Sequence, residues 1–146
     1  MDNPFAGVGA IVIREGEILL VRHTYGAAAG KLLNPGGMLQ AGEMPEQSIV
    51  REVMEETGVT VEPIGMLALR CSAKGWYMVF LARYVSGEPQ SDNDENSQAL
   101  FMPCQELLAR DDATDTVKAL TQLALTQSPL PPQDAGAGRV MYAPMD

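Results

Sequence analysis

The chain has 146 residues, of which 46% are apolar, and a formal charge of −9, a size and composition suited to one globular core. That charge argues against a broad basic surface for nucleic acid or anionic membrane, while a divalent metal would still let an acidic protein hold phosphates by reversing the local field. No apolar run approaches the roughly 18 residues that span a bilayer, the N-terminus opens on Asp2 rather than a basic leader, and Cys71 and Cys104 lack disulfide or zinc spacing, so a cytoplasmic protein with reduced thiols is expected.

In chain order, "GAIVIREGEILLVRH" (residues 9–23) predicts a hairpin turning at Glu15 and Gly16. "GAAAGKLLNPGG" reads as a loop ending in a tight bend at Pro35, Gly36 and Gly37. From Pro45 to Thr57 the residues Ile49, Val50, Val53 and Met54 recur at helical spacing, with Pro45 at the first helical position and Gly58 just past the end. On a wheel those four form one arc, and Arg51, Glu52, Glu55 and Glu56 lie on the other. "VTVEPIGMLALRCSA" and "GWYMVFLARYVSG" read as strands joined at Lys74 and Gly75, and "EPQSDNDENSQ" as an acidic loop. "ALFMPCQELLA" is a short strand entering a helical turn near Pro103, and "DATDTVKALTQLALTQ" an amphipathic helix. The expected fold is α/β (α+β), a mixed, partly antiparallel sheet between helices, over residues 1–127. The Pro/Gly-rich segment 128–146 is expected as a tail, flexible or docked on a partner subunit through Val140, Met141 and Tyr142.

Glu52, Glu55 and Glu56 are helical neighbours, and each like-charge pair costs roughly 0.2–0.5 kcal/mol in water. A bound cation would offset that repulsion. Glu52 and Glu56, one turn apart, present hard oxygen ligands of the kind magnesium takes, and the bend before the helix brings main chain beside them because glycine has no side chain to obstruct approach. Hydrolysis of a phosphoanhydride needs such an ion for charge neutralisation and for an activated water.

Residues 37–59, "GMLQAGEMPEQSIVREVMEETGV", carry Gly37, Glu43, Arg51, Glu52, Glu55, Glu56 and Gly58 at the spacing of the Nudix box. Seven fixed residues at average frequencies match by chance below roughly one time in a million, so the chain resembles the Nudix hydrolases specifically, from about Gly7 to Leu125. The resemblance implies an α/β/α sandwich and a Mg²⁺ cofactor, with Mn²⁺ as a substitute. It implies Gly37, Glu52, Glu55 and Glu56 around the metal, with Glu55 sharing its oxygens with Arg51, and Arg51 orienting the glutamates. Glu43 is assigned to the helix N-terminus, an acid-dipole contact worth about 0.3–1 kcal/mol. Glu95, in the acidic loop, is the favoured general base, with Asp92 and Asp94 read as solvated.

Outside the box, Arg22 resembles a phosphate-contacting residue, and a surface strand-end arginine is the equal alternative. Tyr77 and Trp76 offer stacking faces for a nucleobase, although one of them inside a strand is expected to fill the core. His23, the single histidine, is read as a bystander. The implied activity is a metal-dependent cut of a nucleoside diphosphate linked to another group, with nucleoside triphosphates as the lead substrate class. ADP-ribose, another nucleotide sugar or a dinucleoside polyphosphate is the alternative, and a non-catalytic nucleotide sensor stands against both. No nucleic-acid or membrane partner is expected, and a homodimer is expected by resemblance.

Overall fold

The structure, a computed structural model, describes residues 2–145. Among these, seven strands join one sheet: β1 (Asp2–Arg14), β2 (Glu17–His23), β3 (Leu32–Leu33), β4 (Gly36–Gln40), β5 (Thr60–Ser72), β6 (Gly75–Ser86) and β7 (Asn96–Pro103). β1 and β2 turn at Glu15 and Gly16, both with positive φ, as the hairpin pattern predicts. β1 then lies parallel to β6, from Ala6 opposite Trp76 to Ile13 opposite Arg83, while its first half pairs antiparallel with β4. All the other pairings are antiparallel, which makes the sheet mixed.

Each face of that sheet is covered. On one, α1 (Pro45–Thr57) lays Ile49 and Val53 against Val8, Ala10, Leu19 and Phe80. On the other, α2 (Cys104–Leu108) and α3 (Asp115–Thr126) bring Leu107, Val117 and Leu120 onto Ile11, Ile18 and Leu20. The result is the expected α/β/α sandwich. Thr114 caps α3, its side chain accepting from the Val117 amide, and Gly58, left-handed at φ 74°, ends α1.

Two expectations change. The wheel assigned Val50 and Met54 to the buried arc, yet both are exposed, and α1 instead turns Ser48, Glu52, Glu56 and Thr57 inward beside Ile49 and Val53. The segment after Ser128 folds back on its own domain, leaving Val140 and Met141 exposed. Leu130 exchanges two main-chain hydrogen bonds with Met66 (2.8 and 2.9 Å). The strands β8 (Pro132–Asp134) and β9 (Val140–Tyr142) then form a hairpin that sets Tyr142 edge-on to the buried Phe80, ring centres 5.2 Å apart. Burial and the nearby Glu46 push the Tyr142 phenol up to about 12. Tyr142→Ala is expected to cost about 1–2 kcal/mol, read as a lower urea midpoint with an unchanged slope.

Candidate active site

The inward turn of α1 places its carboxylates against the bend. Glu56 is 6% exposed, and the one hydrogen bond its carboxylate accepts among the described residues comes from the Gly36 amide at 3.2 Å. Burial, reinforced by Glu52, Glu95 and Asp92, pushes its carboxyl up to about 8. Glu52, 8% exposed, is also shifted up by burial, against the pull of Arg51. Gly37 faces Glu52 so closely that a Cβ there would collide with the carboxylate. Two desolvated carboxylates, of which Glu56 has no cationic partner, beside bare main chain are a donor set for a hard divalent cation.

Arg51 organises the rest. Its Nε and one Nη donate to both oxygens of Glu43 (2.7 and 3.1 Å), while the other Nη donates to Glu52 (2.9 Å) and Glu55 (3.1 Å). The guanidinium fork thereby fixes three acids at once. Glu43 is held down to about 2 by that pairing and by the Gln40 amide. It therefore anchors Arg51 and holds the loop through the Gln40 amide, as the loop part of its expected role has it. The amide of Met44, just before α1, is taken instead by the Gln47 side chain at 2.8 Å. Glu55 is mostly exposed and drawn to Arg51. Among the described residues no three His, Cys, Asp or Glu side chains converge closely enough to hold one ion, so the fit rests on Glu52, Glu56 and the main chain at the bend.

Glu95, Asp92 and Asp94 line the same acidic hollow of about 480 Å³ as Glu52, Glu55 and Glu56. Asp92 accepts the amides of Asp94 and Asn96 (2.9 and 3.0 Å), which shapes the loop. The Glu95 carbonyl is held by Thr24, while the buried Asn96 donates to the Glu56 carbonyl at 2.9 Å, tying this loop to α1. Glu95 itself stays exposed at the rim.

A second cavity of about 380 Å³ adjoins the first, sharing Tyr25, Gly36, Gly37, Met38 and Glu56 with it. Tyr77 lines it, its hydroxyl accepting from the Asn34 amide at 3.0 Å in space that a Cβ on Gly9 would fill. Of the two strand aromatics it is Tyr77 that packs against the core, while Trp76 is half exposed. Arg22 does not reach either cavity, a correction to its assignment as a phosphate contact. Its guanidinium is spent on Asp112 (3.1 Å), the Gly30 carbonyl (2.8 Å) and Gln98 (3.1 Å). His23 lines the second cavity and stacks on Tyr25, ring centres 4.6 Å apart. Tyr25, Asn34 and Arg70 were not singled out from sequence. The adjacency of Asn34 to the bend was the one available signal, since a loop tyrosine and a strand arginine carry no spacing.

A helix presenting buried carboxylates to a glycine bend, with a nucleotide-sized hollow beside it, defines a metal-dependent hydrolase scaffold. Residues 3–123 match the NUDIX domain model, and the chain belongs to the Nudix hydrolase family. It is 38% identical over 104 residues to the NAD-capped RNA hydrolase NudC of Photobacterium profundum, covering 67% of this chain and 37% of that protein. It is 46% identical over 54 residues to the 8-oxo-dGTP diphosphatase of Escherichia coli, covering 36% of this chain and 42% of that one. A solved NUDIX hydrolase from Nitrosomonas europaea superposes with a TM-score of 0.72 at 27% identity, covering 88% of this chain and 94% of that chain. The matched stretch spans between 26% and 62% of the length of these and similar curated relatives. Nudix hydrolases use divalent metal ions and act on nucleotide substrates. Among the described residues no helix is long and apolar enough to cross a membrane.

Gly37→Ala is expected to lower the melting temperature by about 2–4 °C, because the Glu52 carboxylate must shift from its bond to Arg51 to make room. Divalent-ion affinity should fall roughly 10–100-fold, as titration calorimetry would register.

Proposed function

We propose that the chain is a Mg²⁺-dependent pyrophosphohydrolase that cuts the P–O–P bridge of a nucleoside diphosphate linked to another group by attack of water at phosphorus. Nucleoside triphosphates, giving a monophosphate and pyrophosphate, are the lead class; ADP-ribose, other nucleotide sugars and dinucleoside polyphosphates are the alternative. The observation that carries it is the buried Glu52 and Glu56 pair against Gly36 and Gly37, opening on a cavity large enough for a nucleoside.

A divalent ion held there supplies charge neutralisation to the diphosphate and acidity to a water. Glu52 and Glu56 would hold it, with Gly37 giving the room. Arg51 keeps Glu52 in its rotamer through the fork to Glu43. Glu95, on the loop pinned by Thr24, takes the proton from the attacking water. Tyr77 and Asn34 border the nucleoside end. A cytoplasmic location, from the unpaired spacing of Cys71 and Cys104, and a homodimer, by resemblance, complete the proposal.

The test incubates purified protein and Mg²⁺ with triphosphates, oxidised nucleotides, ADP-ribose, nucleotide sugars and dinucleoside polyphosphates, and identifies the products by mass spectrometry. Consumption of one class by the wild type, absent in Glu56→Gln, is the expected outcome. Nucleotide and metal binding without product would sink the enzyme reading in favour of a sensor.

A further inference from the structure

Beyond the nucleoside cavity lies a third hollow of about 250 Å³ at the tip of the β5–β6 hairpin, sharing Gly7, Met38, Arg70 and Tyr77 with it. Its charge is opposite to that of the glutamate end. Arg70 and Lys74 line it, with the half-exposed Trp76 at its border.

The chain has nineteen acids and ten Lys and Arg residues, so each cation has acids to choose from. Arg14, Arg22, Arg51, Arg83 and Arg110 all pair with carboxylates. Among the described residues Arg70, Lys74, Lys31, Lys118 and Arg139 make no ion pair, and the first two of these line the same hollow. The Arg70 guanidinium lies 4.9 Å from the Tyr77 ring centre and donates one hydrogen bond, to the Thr116 hydroxyl at 3.3 Å. Most of its five donors remain open. Two like charges lining one hollow repel unless an anion joins them, and a guanidinium fork matches phosphate geometry. On the pyrophosphohydrolase reading the scissile diphosphate sits at the glutamates, and this hollow shares only Met38 with the glutamate hollow, so a different anion is called for.

We propose that this hollow is a second phosphate site, taking a phosphate carried on the ribose of the bound nucleotide. The inference rests on the pyrophosphohydrolase reading and narrows its substrate class to nucleotides bearing a 2′- or 3′-phosphate besides the 5′ diphosphate link. The 5′ end of an RNA and a ribose-phosphorylated dinucleotide share that chemistry.

Trp76 is the single tryptophan of the chain, so its fluorescence reports occupancy of the hollow. Wild-type protein with Mg²⁺ is titrated with nucleoside 3′,5′-bisphosphates and with the matching 5′-monophosphates, neither of which contains an anhydride to cut. The bisphosphates should bind about tenfold tighter and alone change the Trp76 emission. Lys74→Ala and Arg70→Gln should each erase most of that preference, and Arg70→Lys should keep part of it. Equal affinity of the two ligand sets, or a preference surviving in both variants, overturns the site. In turnover, a 5′-capped trinucleotide RNA and a ribose-phosphorylated dinucleotide are each compared with their counterparts lacking the ribose phosphate. An advantage in kcat/KM in either pair supports the site and names the source, and its absence in both counts against it. Bisphosphate preference without any hydrolysis would instead remove the enzyme reading and leave the phosphate site standing.

Discussion

Glu56→Gln should lower kcat on the order of 10³-fold, about 4 kcal/mol of barrier, while the metal-free variant at pH 7 melts above the wild type and matches it only at about pH 4.5 and below. The two halves of that result have one cause. Burial lifts the Glu56 carboxyl from 4.5 to about 8, so without metal folding at neutral pH must put a proton on it, a cost that an amide of the same shape does not carry. The sign of the pH dependence follows. A carboxyl raised in the folded state binds its proton more tightly there than in the unfolded chain, so stability falls as pH rises from about 4.5 through about 8. In a chelator the wild type should lose about 2 kcal/mol between pH 6 and pH 8, a drop in melting temperature on the order of 4–8 °C. Mg²⁺ should restore it at pH 8, and Glu56→Gln should remove the slope. A wild type whose melting temperature is flat across that window would contradict the burial argument, and full turnover in the variant would contradict the ligand role.

Arg51→Ala should be the most destabilising single change at the site, costing about 3 kcal/mol. Glu43 and Glu52 have side chains only 14% and 11% exposed, and removal of the guanidinium leaves each without its cationic partner. Arg51→Lys should recover less than half, since one ammonium cannot grip both oxygens of Glu43 while reaching Glu52. Glu43 is held down to about 2, so its pairing stabilises the fold above about 4.5 and the benefit is lost as pH falls through about 2. Acid unfolding of Arg51→Ala should therefore begin at higher pH than that of the wild type. Urea titrations from pH 2 to 7 measure both effects, and coincident acid limbs would show that the fork contributes nothing.

Much of this was legible in the chain. Gly37, Arg51 and the three glutamates stand at box spacing, and period-two and period-3.6 patterns placed β1, β2, β5, β6, α1 and α3. What sequence did not disclose was the rotation of α1. Val50 and Met54 are apolar and at helical spacing, yet the face that meets the sheet is centred on Ile49 and Val53 and takes in Glu52 and Glu56, because the bend at Gly36 and Gly37 approaches from that side. Arg22 failed for a similar reason, as its partner Asp112 is ninety residues away and no local pattern announces it. The tail's composition suggested looseness, but Gly65 leaves room for the Leu130 carbonyl, so close that a Cβ would clash, and the segment docks there.

The parallel pairing of β1 with β6 also governs how the molecule comes to be made. Strand β1 leaves any ribosome first, but its neighbour along Ala6 to Ile13 is encoded some seventy residues later, at Trp76 to Arg83. The surface under α1 needs Phe80 from that later strand, and the acidic loop that completes the glutamate hollow arrives only at Asp92 to Asn96. Closing so long a loop precedes any reward from the contacts it permits. A nascent chain stalled before β6 should therefore hold the hairpin of β1 and β2 with only part of the seat for α1, and folding of the released protein should be slow and all-or-none around that single parallel seam.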